Sequence, residues 1–160
     1  METKNETISE TTERELVITR ILNAPRELVF EAWTQPEHLI KWWGPKGFTN
    51  TFKEINVKPG GVWLFTTHGP DGTDYPNKIV FKEVVKPERL VYFHSGEDDE
   101  PGSFDTTVTF EDMNGKTKLT MVALFASAEE LKEVIQKHGA LEGGKQTIDK
   151  LEVHLKTMLT

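Results

Sequence analysis

Histidines stand at positions 38, 68, 94, 138 and 154, and the chain has no cysteine. Their mutual spacing makes neither a helical nor a loop metal site, so no metal ligands are assigned. The missing thiols remove disulfides, thiolate metal sites and a cysteine nucleophile, and they suit a reducing cytoplasm. Nothing reads as a Gly-x-Ser-x-Gly elbow, a phosphate loop or a dinucleotide fingerprint, so no cofactor is expected. Gly139–Gly144 is glycine-rich but follows a helical segment, which makes it a kink rather than a phosphate cradle. His94 holds the most chemical promise, because two-residue alternation places it on one strand face with Leu90 and Tyr92. A histidine and a tyrosine projecting into an apolar cavity orient a ligand or act as acid and base. At a strand end the same histidine is simply solvated. Glu83 and Asp105 also lie within strands, as cavity polar groups or, more commonly for carboxylates, facing water.

The aromatic residues Trp63, Phe65, Phe81, Tyr92 and Phe104 either line a pocket or fill a core. In a core each large apolar side chain stabilises by roughly 1.5–3 kcal/mol. Core is the stronger default for any one of them, whereas a set of them on a sheet covered by one helix favours a cavity. Trp42–Trp43–Gly44–Pro45 likewise docks a partner or caps the open end of a sheet, and capping is the simpler reading.

The elements that must position these residues are legible from period and punctuation. Glu15 to Leu22 is β-branched and apolar, a first strand. Ala24 to Pro45 then holds two short helices. Leu28, Val29, Ala32 and Trp33 share one face of the first, and Gln35–Pro36 ends it. The second buries Leu39, Ile40, Trp42 and Trp43 before Gly44–Pro45 stops it. Strands follow over Phe48–Val57, Val62–His68, Tyr75–Val85, Arg89–Ser95, Phe104–Phe110 and Lys116–Phe125, separated by turns such as Pro59–Gly60–Gly61 and Asn114–Gly115. Ser127 to Glu130 reads as a capping box opening a helix that Gly139 closes. From about Glu142 a long helix runs to Leu159, with Ile148, Leu151, Leu155, Met158 and Leu159 in one stripe. Lys145/Asp149 and Glu152/Lys156 are i,i+4 pairs on its wet side.

An antiparallel sheet with helices on one face follows from this order, an α+β fold. The 160 residues are read as a disordered acidic tail over 1–12 and a single domain over 13–160. A formal charge of −7 argues against a nucleic-acid partner or an anionic membrane surface, since both need clustered Lys and Arg. No apolar run approaches the roughly 20 residues of a membrane helix, and the polar N-terminus lacks the apolar core of a signal peptide. A cytoplasmic protein is expected. The acidic loop at residues 96–102 has no apolar residue to anchor it.

Several motifs in order resemble the START-like, helix-grip superfamily, also called SRPBCC, over about residues 14 to 159. Within it the chain resembles the branch named for the C-terminal domain of the heat-shock protein 90 ATPase activator. The matching marks are Arg20, Ala24–Pro25, Val29, Ala32–Trp33, Pro36, Leu39 and Trp42–Trp43–Gly44–Pro45. Pro59–Gly60–Gly61, Trp63, Asp71–Gly72, Phe81 to Leu90 and the Leu151–Leu155 stripe complete them. The resemblance implies six or seven antiparallel strands curved around a long C-terminal helix, with a cavity between them that holds a small apolar molecule. It implies no shared catalytic set. Two departures stand out: Gly143–Gly144 where members often have a tryptophan after the glycine, and Val80 where a glycine often precedes the aromatic. The first is expected to widen one mouth of the cavity, the second to narrow the pocket.

Three functions are therefore ranked. The first is binding of a small, largely hydrophobic lipid-, polyketide- or aromatic-like ligand among Trp63, Phe65, Phe81, Tyr92, His94, Phe104, Leu151 and Leu155, with His94 orienting a polar end. The second is a cyclase- or hydrolase-like enzyme using His94 or a strand carboxylate. The third is a co-chaperone-like module docking a chaperone through Trp42, Trp43 and the acidic loop; the activator's other domain has no counterpart in these residues.

Overall fold

The computed structural model describes residues 8–96 and 103–159, with residues 8–10, 96, 137, 138 and 140 described by their backbone alone. The first strong strand, β2 (Glu15–Leu22), alternates half-buried and buried residues along its whole length, the signature of a sheet with one covered face. A short strand β1 (Ile8–Thr11) precedes it and pairs antiparallel with Ile18 opposite Ser9. This corrects the expected tail at these positions. The composition there is too polar to bury a core, but the free backbone groups of the β2 edge supply hydrogen-bond partners that composition does not register.

Helices α1 (Arg26–Thr34) and α2 (Pro36–Trp42) come next. Buried in α1 are Val29, Phe30, Ala32 and Trp33, so Phe30 joins the expected face and packs edge-on against Phe110. In α2, Leu39 and Trp42 are buried one turn apart, while Ile40, expected inside, lies 43% exposed a third of a turn away. The Trp42 indole Nε1 donates to Ala32 O at 3.0 Å, tying the two helices together.

The chain then meanders through β3 (Thr49–Ile55), β4 (Val62–His68), β5 (Asp74–Val85), β6 (Arg89–Gly96), β7 (Phe104–Met113) and β8 (Lys116–Phe125). All neighbours are antiparallel, in the order β1-β2-β8-β7-β6-β5-β4-β3. The seven expected strands plus β1 make one sheet of eight. Beyond Gly96, the expected acidic loop lies outside the described residues.

Two helices close the fold. α3 (Ala128–His138) begins where Ser127 Oγ accepts from Glu130 N–H at 3.1 Å, and Glu130 Oε2 is left without a partner rather than reaching back. Replacing Ser127 by alanine is expected to lower stability by about 1 kcal/mol, read as a shifted urea midpoint. Gly139, at φ +57°, ends α3 and at once starts α4 (Ala140–Met158). α4 buries Ile148, Leu151 and Leu155 against the sheet. Its carboxylates are not simply on the wet side. Asp149 Oδ1 and Glu152 Oε2 hold the Arg20 guanidinium of β2 at 2.7 and 3.1 Å, with that side chain only 2% exposed. On the next turn, His154 Nε2 and His38 Nδ1 of α2 share a hydrogen bond at 3.0 Å. Desolvation first, then the neighbouring His38 and Lys41, hold His154 below the usual histidine range. Among the described residues no helix is long and apolar enough to cross a membrane.

Candidate functional site

The buried side chains form two separate clusters rather than one core. The larger gathers α1, α2, α4 and strands β4 to β8 around Trp33, Trp42, Trp63 and Phe110. The smaller joins Leu16 and Ile18 of β2 to Phe125 and Leu131, with Phe104, Ala123 and Val134 packed against it. Between them, under the first turns of α4, lies a cavity of about 630 Å³. Close-packed interiors do not leave such a gap by accident of side-chain size alone. Here backbone chemistry opens it: Gly139, Gly143 and Gly144 form the roof where α4 starts, and no side chain hangs down from them.

The walls are apolar and largely aromatic, from Trp33, Trp43, Phe48, Phe65, Phe104 and Phe125, with Ile18 and Ile148. Among the described residues no Asp, Glu, Lys or Arg lines it. Most of its polar groups form one strip across β4 to β7, Thr67, Asn77, Tyr92, His94 and Thr106, with Tyr75 of β5 and Thr147 of α4 beside it. The strip is ordered by the sheet register, in which Tyr92 faces Thr106 and His94 faces Phe104 across β6 and β7.

Hydrogen bonding sets the state of His94. The Asn77 amide Nδ2 donates to Tyr75 O at 2.7 Å and towards Thr67 Oγ1 at 3.4 Å, which turns its Oδ1 to His94. His94 Nε2 therefore carries the proton and donates to Asn77 Oδ1 at 3.0 Å. Nδ1 is left as an acceptor, with no partner among the described residues. Desolvation pushes the His94 pKa down to about 4, so the ring is neutral at pH 7. Burial pushes the Tyr92 phenol up from its ordinary value, offset slightly by the Thr106 hydroxyl alongside, so the phenol stays protonated. Thr106 Oγ1 is buried without a hydrogen-bond partner.

Four of the eight residues expected at the cavity meet there: Phe65, Tyr92, His94 and Phe104. The other four do not, and the expectation is corrected for each. Trp63 is stacked on Phe65 with ring centroids 4.3 Å apart and is enclosed by Trp43 and Phe52. Phe81, Leu151 and Leu155 are buried in the same larger cluster. They share the inner faces with the wall residues but sit deeper, where the two layers close on one another. Thr106 and Asn77 were not singled out, although both fall on the alternation that carries Phe104 and Phe81. Trp33 and Ile18 reach the site only through tertiary packing, whereas the Gly143–Gly144 pair that stands out in the sequence is part of its lining. Neither Glu83 nor Asp105 is a cavity group: each makes an exposed ion pair, with Arg89 and with Lys82. Among the described residues no three His, Asp or Glu side chains converge to hold a metal ion.

This architecture has clear counterparts. A structure from Arthrobacter aurescens superposes with a TM-score of 0.85 at 24% identity, covering 94% of this chain and 91% of that one. One from Nitrosomonas europaea gives 0.81 at 25% identity, covering 93% and 98%. One from Mycobacterium smegmatis gives 0.80 at 26%, covering 92% and 94%. No curated protein matches significantly. The family model described as Activator of Hsp90 ATPase homolog 1-like protein matches residues 23–156. The chain belongs to this family.

The roof is built on two glycines at the start of α4. Gly143 and Gly144 both line the cavity, and a Cβ on Gly144 would come 2.5 Å from Ile18 Cδ1. The pair therefore lets α4 approach β2 closely as well as leaving space beneath it. Val80 does not narrow the pocket: it lies between Ile79 and Phe81, whose side chains point inward, and so faces the other side of the sheet. Trp42 of α2 and Trp43 just after it offer little to a partner, since Trp42 is fully buried and Trp43 packs against Trp33, Trp42 and Trp63.

Proposed function

We propose that this protein binds a small, uncharged, largely apolar molecule in the cavity between the sheet and α4. One observation carries the reading: about 630 Å³ of space walled mostly by apolar side chains, with no formal charge in the wall among the described residues. A charged ligand group would be desolvated there without an opposite charge to meet it. The His94 Nδ1 lone pair and the Thr106 hydroxyl supply orienting contacts for a polar end, the usual division of labour in a ligand pocket. An enzymatic use of the same pocket is less well supported, because a base with a pKa of about 4 takes protons poorly at neutral pH. A chaperone partner draws no support from Trp42, which is fully buried, or from Trp43, which is half-buried and packed among the other tryptophans. A cytoplasmic location suits a chain without cysteine.

Native mass spectrometry of protein purified without detergent is expected to show a co-purified small molecule, or hydrophobic extracts are expected to shift the His94 and Phe104 NMR signals. The control is Ala123→Phe, because Ala123 lines the cavity from β8. The larger ring fills the gap, so binding is expected to fall at least about tenfold while Tm holds or rises as apolar contact replaces empty space. Wild-type protein that takes up nothing from any hydrophobic extract would sink the proposal.

A further inference from the structure

The two most exposed wall residues are Tyr75, 46% exposed, and Gly139, so the mouth of the cavity opens between β5 and the α3–α4 junction. One corner of that mouth is bridged by the segment Gly44–Gly47. It joins α2 to β3 and contributes Gly44 and Pro45 to the wall. Its two ends are glycines in the left-handed region, φ +92° at Gly44 and +85° at Gly47. Such positions turn the chain without side-chain strain. On the sheet side it is anchored by Asn50, whose Nδ2 donates to Trp43 O at 2.8 Å and whose Oδ1 accepts from Thr67.

On the helix side the attachment is of another kind. Lys150 Nζ of α4 donates to Gly44 O at 3.1 Å and Pro45 O at 3.3 Å, and Gln146 Oε1 accepts from Lys46 N–H at 3.2 Å. Pro45 Cγ rests on the bare backbone of Gly143, where a Cβ would lie 3.5 Å away. Two long polar side chains, and no apolar anchor of buried size, thus hold this corner to the helix. A hydrogen-bonded contact of that kind opens locally far more readily than packed core.

We propose that Gly44–Gly47 is a movable strap that sets the width of the cavity mouth, and that Lys150 is the latch holding it to α4. This rests on the cavity being a binding site. The Asn50 anchor and the glycine ends make the sheet side the hinge; the Lys150 side swings. A wider mouth speeds entry and exit alike, because it lowers the barrier between the bound and free states while the inner wall at Phe65, Tyr92, His94 and Phe104 stays in place.

The test uses N-phenyl-1-naphthylamine, an uncharged aromatic whose fluorescence rises in apolar surroundings, followed by stopped flow on the whole chain. In Lys150→Met, entry and exit rates are both expected to rise about tenfold, the factor that loss of ~1.4 kcal/mol of hydrogen bonding gives, with Kd changed less than about twofold. Because the chain has no other cysteine, a Pro45→Cys/Gly143→Cys pair forms a single disulfide across the same corner. Oxidising it is expected to slow both rates at least about tenfold, and reduction to restore them, as constraining the strap requires. A probe that binds with the same rates in wild type, Lys150→Met and the oxidised pair overturns the strap and leaves the binding site standing. A probe that does not bind wild type at micromolar concentration overturns both.

Discussion

Arg20→Ala is expected to lower the unfolding free energy by about 3 kcal/mol, the lower end of what removing one partner from a buried ion pair produces. The Arg20 side chain is 2% exposed, whereas Asp149 and Glu152 retain 25% and 21% exposure and are rehydrated in part when the guanidinium is gone. That partial access places the loss at the lower end. For a domain of this size the change corresponds to a fall in Tm of about 6–12 °C. The same pair of contacts holds α4 over the sheet, and α4 carries the roof of the cavity. Ligand affinity is therefore expected to fall in Arg20→Ala even at temperatures where the protein stays folded. Removing all three charges together, with apolar residues of similar size, is expected to recover most of the stability, because no charge is then left unpaired. Thermal unfolding of the single and triple variants decides it. A single variant as stable as wild type would mean that the cluster does not pin the helix.

The second large effect is pH-dependent and belongs to His94. An unfolded histidine titrates near 6.5, while native His94 holds off its proton to about 4 because the cavity wall desolvates the charged ring. Between those values the unfolded state binds the proton and the native state does not, so native stability falls as pH falls. The gap of roughly 2.5 pKa units amounts to about 3 kcal/mol, fully lost by pH 4 and fully regained above pH 6.5. Asn77 does not oppose this, since its Oδ1 accepts from Nε2–H in either protonation state. Asp71 and His154, both held below their ordinary values, also lower stability in acid, but they are common to wild type and His94→Gln. Urea titrations of both proteins at pH 7 and pH 4.5 are expected to show a slope about 2–3 kcal/mol steeper in wild type. Parallel profiles would show that the ring is solvated in the native state. A bound neutral ligand that accepts no charge is expected to push the native titration lower still, so the cavity loses its ligand in acid.

Much of this was legible before any coordinates. Two-residue alternation located Val62–His68 and Phe104–Phe110, and the turn at Asn114–Gly115 located the last hairpin, because strands and tight turns are specified by neighbouring residues. The same alternation placed Phe65, Tyr92, His94 and Phe104 on one inner surface. It could not tell them from Trp63 and Phe81, which share the periodicity and differ only in depth. The i,i+4 reading of Asp149 and Glu152 failed for a related reason. On a helix wheel both are surface carboxylates, and the guanidinium that meets Glu152 comes from a residue 132 positions away. At Ile8–Thr11 polar composition argued for a tail, while the open edge of β2 supplied the pairing.

Local pattern, then, was enough for every element but β1, for their order and for the family to which they belong. The cavity was decided elsewhere. A void is a place where residues distant in sequence fail to touch, and no window of sequence records an absent contact. Its existence here depends on where the α3–α4 junction sets Gly139, Gly143 and Gly144 over β2 and β8. The neutral state of His94 is tertiary as well, since desolvation by the whole wall, not any adjacent residue, holds the proton away.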